Sequence, residues 1–158
     1  MPRVGRFNRR RFLQVAVAGS VAAPLVIPGS ALGLDGAAPA NDRIVMGAIG
    51  MGGQGRGDLG GFLGFPDVQV VAVCDAVGRH RQLAKDGVDQ RYGNKDCASY
   101  TDFRDITTRD DIDAVLIATP DHWHAIVSIE AMTHGKDVYC EKPECLTIRE
   151  GRRMVDIA

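Results

Sequence analysis

The first residues in the chain whose types and spacing could do chemistry are Gly50, Gly52 and Gly55, spaced as Gly-x-Gly-x-x-Gly. In a dinucleotide-binding loop the first glycine permits a tight turn, the second lets the backbone approach a pyrophosphate, and the third lets a helix pack closely. The free N–H groups at the start of that helix can bind phosphate oxygens. Asp75 follows Gly55 by twenty residues, where a carboxylate can accept hydrogen bonds from ribose hydroxyls. The spacing predicts a dinucleotide site, and the alternative is a glycine-rich surface loop.

Two further polar segments follow apolar runs nearer the end of the chain. Residues 119–124 are Thr-Pro-Asp-His-Trp-His, and residues 141–143 are Glu-Lys-Pro. Ligands of an open parallel sheet bind at the carboxyl ends of its strands, so both segments are expected at one rim. His122 and His124 predict no metal site, because residues two apart on a helix do not share a face and no third ligand is evident. Trp123 is expected to be a groove wall or a core aromatic.

The elements that position these residues follow from the hydrophobic pattern. Apolar, β-branched runs of strand length alternate with stretches of helix length. The predicted strands are 43–49, 68–74, 98–100, 113–118 and 137–140, and the predicted helices are 54–63, 77–91, 102–107, 121–134 and from 147 onward. Thr147 and Glu150 predict a capping box at the start of the last helix. The alternation predicts an α/β fold, a Rossmann-type doubly wound parallel sheet covered on both faces.

Residues 41–158 are expected to form this Rossmann domain, and to be incomplete at its C-terminal end. A doubly wound dinucleotide fold needs a further strand, and the chain reaches Ala158 without one. The sequence therefore looks truncated. We expect such a chain to bind nucleotide weakly and to turn over no substrate by itself.

Residues 1–40 are predicted to be a twin-arginine signal peptide and linker. Arg9 and Arg10 precede a short apolar stretch, 15–27, which is followed by small residues. This layout predicts recognition by the twin-arginine translocase and a periplasmic or otherwise exported location. The alternative is an uncleaved membrane anchor, and the sequence leaves the cleavage site open.

Composition and charge exclude one class of partner. Hydrophobic residues make up 45% of the chain and charged residues 25%, as in ordinary globular proteins. Five of the 19 basic residues but one of the 20 acidic residues lie in positions 1–40, so the remainder has a net charge of −5. A mildly acidic domain argues against nucleic-acid binding. The four cysteines have no zinc-ligand spacing, and reduced thiols are favoured over a disulfide between Cys140 and Cys145.

The glycine fingerprint, the segment ATPDHWHA and the tripeptide EKP, in that order, resemble the Gfo/Idh/MocA oxidoreductases. The resemblance covers residues 43–158 and implies a nicotinamide cofactor, a second α/β domain absent from this chain, and a homo-oligomer at full length. It implies that Lys142 is the catalytic residue, reaching the nicotinamide and the reacting hydroxyl, with Glu141 beside the nicotinamide ribose. It also implies a cofactor-binding set of Gly50, Met51, Gly52, Gly53, Gln54, Gly55, Asp75, Thr119, Pro120, His124, Glu141 and Lys142.

The expected function is that of a nicotinamide-dependent oxidoreductase acting on a carbohydrate: a sugar, polyol or glycoside. NAD is expected over NADP, because Asp75 would repel a 2′-phosphate, although Arg79 and Arg81 could attract one. One branch of the resembled family consists of glycoside hydrolases that oxidise the sugar transiently. The alternatives are therefore an NAD-dependent glycosidase or lyase, or an inactive cofactor-binding fragment.

Overall fold

Five strands and five helices alternate along the part of the chain that the computed structural model describes, residues 38–158. The strands are β1 (Ile44–Ile49), β2 (Val68–Cys74), β3 (Ala98–Tyr100), β4 (Ala114–Ile117) and β5 (Asp137–Cys140). The helices are α1 (Gly53–Phe62), α2 (Gly78–Tyr92), α3 (Arg104–Thr107), α4 (Asp121–Thr133) and α5 (Ile148–Ile157), and a 3₁₀ turn covers Ala40–Asp42. These elements confirm the predicted α/β fold. The predicted twin-arginine signal peptide, with Arg9 and Arg10, lies outside the described residues.

The five strands form one parallel sheet in the order β3-β2-β1-β4-β5. Ile49 at the end of β1 lies level with Cys74 of β2 and with Ile117 of β4, and Ile117 lies level with Cys140 of β5. The carboxyl ends of four strands therefore meet at one rim. The loops that follow them leave the sheet side by side, as the sequence predicts.

Helices cover both faces of the sheet, because the apolar side chains of each strand alternate between two cores. One core joins Met46, Ala48 and Val70 to Leu59 of α1 and Val88 of α2. The other joins strand residues to the α3 and α4 side chains, and its members include Ile49, Ala72, Val115, Ile117, Ile106 and Val127. This two-sided packing is the doubly wound arrangement.

Helix α5 packs on α4 and buries none of its own residues. Its start has the predicted capping box: the Glu150 N–H donates to Thr147 Oγ1, and the Thr147 N–H donates to Glu150 Oε2. Ile148 and Val155 are largely exposed. Within residues 38–158 no helix has the length and apolar character needed to cross a membrane.

Candidate functional site

The turn between β1 and α1 requires glycine at two of its three fingerprint positions. Gly50 has a φ of +85°, and a Cβ there would lie 2.5 Å from the Thr119 nitrogen. A Cβ at Gly55 would overlap the Gly50 carbonyl oxygen. Both contacts are with backbone, which cannot swing away as a flexible side chain can. These glycines thus serve the tight turn and the close helix packing that the spacing predicts.

Gly52 and Gly53 have the opposite surroundings. A Cβ at either position would meet no protein atom within 4 Å, so nothing in the described chain demands glycine there. Gly52 is the N-cap of α1, no side chain caps that end, and the first turn has no acidic residue. The N–H groups of a first helical turn have no intrahelical partners. The space and the free donors together suit an anionic ligand at this helix end.

A cleft of about 730 Å³ lies above the carboxyl ends of β1, β2, β3 and β4. The glycine turn forms its floor near α1, and the loops after β2, β3 and β4 form its other walls. The lining residues predicted from sequence are Gly50, Gly52, Gly53, Gln54, Asp75, Thr119 and Pro120. The structure therefore brings together seven of the twelve predicted cofactor-binding residues around one cavity.

Asp75 lines the cleft, and its side chain is 11% exposed. Its Oδ2 accepts a hydrogen bond from the Met51 N–H at 2.7 Å, and its Oδ1 accepts one from the Val77 N–H at 2.7 Å. His80 Nδ1 lies 3.5 Å from Oδ2. Each carboxylate oxygen can accept more than one hydrogen bond, so capacity remains for ribose hydroxyls. The carboxylate also fixes the glycine turn, a structural task that the spacing alone does not reveal.

Met51 and Gly55 lie beneath the cleft rather than along its wall. The Met51 side chain is fully buried in the core, and its N–H is bound to Asp75. Arg81, considered above for a 2′-phosphate, instead donates from its guanidinium to the Asp75 carbonyl. Met51 and Arg81 therefore hold Asp75 in position, and they do not line the cleft.

The outer lip of the cleft is aromatic, and the sequence analysis singled out Trp123 of it but not Phe103 or Arg104. Phe103 and Trp123 lie with ring centroids 6.1 Å apart, and the Arg104 guanidinium carbon lies 4.6 Å from the Phe103 centroid. Trp123 is 40% exposed and occupies one of its two predicted places, the groove wall. The Arg104 N–H holds the pKa of Asp102 below its usual range. Flat rings beside a cation suit the face of a planar, electron-rich group.

One signal could have identified this lip. The segment 101–104 directly follows β3, and the strand-end rule applied to the other loops applies equally there. His80 is a further cleft residue that the sequence does not single out, and the first turn of α2 brings it beside Asp75.

The thiol that lines the cleft is not a nucleophile. Burial raises the pKa of Cys74 to about 12, so the group is a neutral thiol at physiological pH. All four cysteines are free; Cys74 and Cys97 are buried, whereas Cys140 is only half-buried because β5 is an edge strand of the described sheet. From residue 38 to residue 158, no three His, Cys, Asp or Glu side chains are grouped to hold a metal ion.

Glu141, Lys142 and His124 lie beside the cleft rather than in its lining. The Glu141 N–H donates to the Ile117 carbonyl at 2.8 Å, which ties the loop after β5 to the end of β4. Lys142 is exposed and makes no hydrogen bond or ion pair with any residue of the 38–158 range. His124 is 2% exposed, with its ring between two loops. The lysine is thus free to meet a ligand that extends past β4.

Comparison with known proteins places this geometry in a family. Residues 44–158 match the family model for Gfo/Idh/MocA proteins, described as an oxidoreductase family with an NAD-binding Rossmann fold. The chain is 36% identical over 149 residues to a glycosyl hydrolase family 109 protein of Shewanella baltica, covering 90% of this chain and 31% of that protein. A protein of the same description from Saccharopolyspora erythraea is 32% identical over 173 residues, covering 95% of this chain and 36% of that protein.

Solved structures show the same architecture. The myo-inositol 2-dehydrogenase of Lactobacillus plantarum superposes with a TM-score of 0.64 at 28% identity, covering 73% of this chain and 32% of that one. The scyllo-inositol dehydrogenase of Lactobacillus casei, solved with NAD(H) and scyllo-inositol, has a TM-score of 0.64 at 25% identity over 73% of this chain and 32% of that one. The chain thus spans about a third of the length of the relatives it matches. With the fingerprint turn, the strand-end cleft and this match over most of its length, the chain belongs to the Gfo/Idh/MocA family of NAD-binding oxidoreductases.

Proposed function

We propose that this chain is the cofactor-binding part of an oxidoreductase that transfers a hydride between NAD and a carbohydrate: a sugar, polyol or glycoside. The observation that carries the proposal is the open space over Gly52 and Gly53, at an uncapped helix end that faces the strand-end cleft. That cradle suits a pyrophosphate, and the cleft suits the adenosine half of a dinucleotide. Solved relatives carry NAD(H) with inositols.

Each part of the cofactor has candidate partners in the described residues. Gly52, Gly53 and Gln54 would hold the pyrophosphate, and Asp75 would accept from the adenosine ribose. Thr119 and Pro120 would line the path toward the nicotinamide, and Thr119 Oγ1 is a buried hydroxyl without a hydrogen-bond partner. Such an unpaired buried group is costly unless something binds it.

Lys142 is proposed to act on the substrate oxygen, with Glu141 beside the nicotinamide ribose. When bound, the nicotinamide supplies the hydride acceptor or donor. Oxidation of a secondary alcohol also builds negative charge on the oxygen, and a nearby ammonium group stabilises that charge. The exposed, unpaired Lys142 side chain can supply this ammonium.

A second candidate function is favoured by the relatives at 31–36% identity, which are named glycosyl hydrolase family 109 proteins. In an NAD-dependent glycosidase or lyase, the sugar would be oxidised and then reduced again within one catalytic cycle, so NAD would not be consumed. Net formation of keto-sugar with NADH supports the oxidoreductase. Cleavage of a glycoside without net NADH supports the glycosidase.

The substrate and the catalytic base are proposed to involve further protein that this chain does not contain. The chain covers about a third of its relatives' length. A homo-oligomer at full length remains a prediction. An inactive cofactor-binding fragment remains the alternative, and it would bind NAD without turning over any carbohydrate.

We also propose that the protein is exported through the twin-arginine route and is therefore periplasmic or otherwise exported. This proposal rests on Arg9 and Arg10 before an apolar stretch, which lie outside the described residues. Because this route carries folded proteins, the enzyme could bind NAD in the cytoplasm and retain it after export to the periplasm.

The test compares Lys142→Ala with the exposed control Lys95→Ala in the complete protein that contains this chain. Turnover of Lys142→Ala should fall roughly a hundredfold or more, since an interaction specific to developing charge is lost. NAD affinity, measured by calorimetry, should change by less than about threefold in both variants, because the proposed role of Lys142 is on the substrate oxygen and neither lysine lines the cleft. If Lys142→Ala turns over substrate as fast as the wild type, the lysine has no catalytic role. If the wild-type protein does not bind NAD, the proposed function is wrong.

A further inference from the structure

His124 is held in an arrangement that a neutral imidazole cannot satisfy. The side chain is 2% exposed, in the first part of α4. Its Nε2 lies 2.7 Å from the Thr119 carbonyl oxygen, and its Nδ1 lies 2.7 Å from the Pro143 carbonyl oxygen. Both distances are those of short, well-formed hydrogen bonds.

Carbonyl oxygens can only accept, so each of these contacts needs an N–H on the ring. A neutral imidazole carries one N–H and one bare lone pair, whereas an imidazolium carries two N–H groups. In either neutral tautomer a nitrogen lone pair would face an oxygen lone pair at 2.7 Å. Two carbonyl partners therefore select the doubly protonated ring, which donates both hydrogen bonds.

The two carbonyls belong to the two loops that carry the proposed chemistry. Thr119 precedes the N-cap Pro120, so its carbonyl lies outside α4, and Pro143 belongs to the loop between β5 and α5. Both residues lie outside helices and strands, so their carbonyls have no partner in a helix or a strand ladder. Thr119 also backs against Gly50, because only the missing Cβ of that glycine leaves room for its nitrogen. The His124 ring thus joins the loop after β5 to the loop after β4, which itself packs against the glycine turn.

We propose that His124 is a positioning residue: as an imidazolium it ties the loop 141–143 to the loop after β4, and so sets Lys142 relative to the cleft. The consequence for Lys142 rests on the proposed function, whereas the double hydrogen bond does not.

Charges around this ring act in both directions. Burial and the positive end of α4 disfavour a cation at this position. Two charge-assisted hydrogen bonds favour it, and so do the acids of the same segments: Asp121 in the first turn of α4, and Glu141 and Glu144 on either side of Lys142 and Pro143. Lys142, Asp121 and Glu144 are all exposed, so solvent screens both the repulsion and the attraction, and the two short hydrogen bonds remain the main term that favours the cation.

The protonation state is tested directly by long-range ¹H–¹⁵N correlation of the ¹⁵N-histidine-labelled chain at neutral pH. The chain has four histidines, and loss of one ring system in His124→Asn assigns the signals. We expect two protonated ring nitrogens for His124. The exposed His134, the C-cap residue of the same helix, has a carbonyl contact at Nδ1 and serves as the reference ring. A His124 ring with one unprotonated nitrogen would overturn the proposal.

The positioning role is tested by hydrogen exchange of His124→Asn against the matched control His134→Asn. The hydrogen-bonded amides of this loop, those of Glu141 and Leu146, should exchange at least about tenfold faster in His124→Asn, since losing charge-assisted bonds worth over 1.4 kcal/mol opens the loop tenfold more often. Exchange in β1 and β2 should stay unchanged, and His134→Asn should leave the loop as in the wild type. Unaltered exchange of residues 141–146 in a folded His124→Asn protein would refute the role.

These measurements need no cofactor, so they separate the two proposals. If the wild-type chain shows the doubly protonated ring and the loop responds as expected, the inference stands even where calorimetry finds no NAD binding. If His124→Asn does not fold, the wild-type ring signature alone decides. In the complete protein, His124→Asn should lower kcat more than it raises the KM for NAD, because the lysine is misplaced while the pyrophosphate cradle is intact.

Discussion

Alanine substitutions at two glycines of the fingerprint turn should have different effects. One should weaken NAD binding and leave stability nearly unchanged, and the other should lower stability. Gly52 has φ −64° and ψ −162°, angles open to any residue, and its added Cβ would meet no protein atom within 4 Å. We expect Gly52→Ala to keep the free energy of unfolding within about 1 kcal/mol of the wild type, because weaker N-capping and a less flexible unfolded chain partly cancel. NAD affinity should fall more than tenfold, since the new methyl group fills the space meant for the pyrophosphate.

Gly55→Ala should instead lower the free energy of unfolding. Its Cβ would overlap the Gly50 carbonyl oxygen, so α1 and the turn must move apart. Overpacking by a methylene group costs about 1–3 kcal/mol where side chains can adjust, and this contact is with backbone. Against a total stability of about 5–15 kcal/mol, the loss should show as a clearly lowered urea midpoint.

The control is Gly57→Ala, within the same helix but outside the cleft lining, where a Cβ also meets nothing within 4 Å. It should bind NAD as the wild type does and gain up to about 1 kcal/mol, as expected for alanine in a helix interior. Urea unfolding and calorimetry with NAD on all four proteins provide the assay. The reasoning fails if Gly52→Ala binds NAD normally, or if Gly55→Ala is as stable as the wild type.

Three further predictions concern other parts of the chain. NAD should bind more tightly than NADP, by a few kcal/mol if Asp75 meets the 2′-phosphate; equal affinities in calorimetry would remove that role. Replacing Arg9 and Arg10 together by lysine should abolish export, whereas unchanged export in a fractionation assay would exclude the twin-arginine route. Burial raises the pKa of Cys74 to about 12 and of Cys97 to about 11 from 9.0, so the folded state keeps protons that the unfolded chain releases. Stability should therefore fall above pH 9, by roughly 2–3 kcal/mol at pH 10, and a Cys74→Ala/Cys97→Ala protein should lose less on the same pH change.

The order and type of the elements could be read from the sequence with few errors. Strand-length β-branched runs alternate with helical stretches, and glycine or polar residues mark nearly every boundary. Even the capping box at Thr147 and Glu150 forms as predicted, because it depends only on residues three apart. Local rules suffice wherever the partners of a residue are its near neighbours in the chain.

The placement of the main cofactor loops could also be predicted, for a topological reason. Strands of a parallel sheet all end at one rim, so the turn at Gly50, the acid Asp75 and the segment starting at Thr119 had to converge. No distance information is needed for that step, only the recognition of alternating strands and helices. The family resemblance rests on the glycine fingerprint, ATPDHWHA and EKP, and the match over residues 44–158 confirms it.

The partners of individual side chains were decided only by the tertiary structure. Whether Phe103 meets Trp123 depends on how far the loop after β3 reaches across to α4, which no spacing in the sequence encodes. His124 is buried between the carbonyls of Thr119 and Pro143 because β4 and β5 pair in register and bring their loops together. Hydrogen bonds are directional and short-ranged, so they depend on ångström-scale placement of segments far apart in the chain. Hydrophobic patterning, which needs only the correct face, is already present in the sequence.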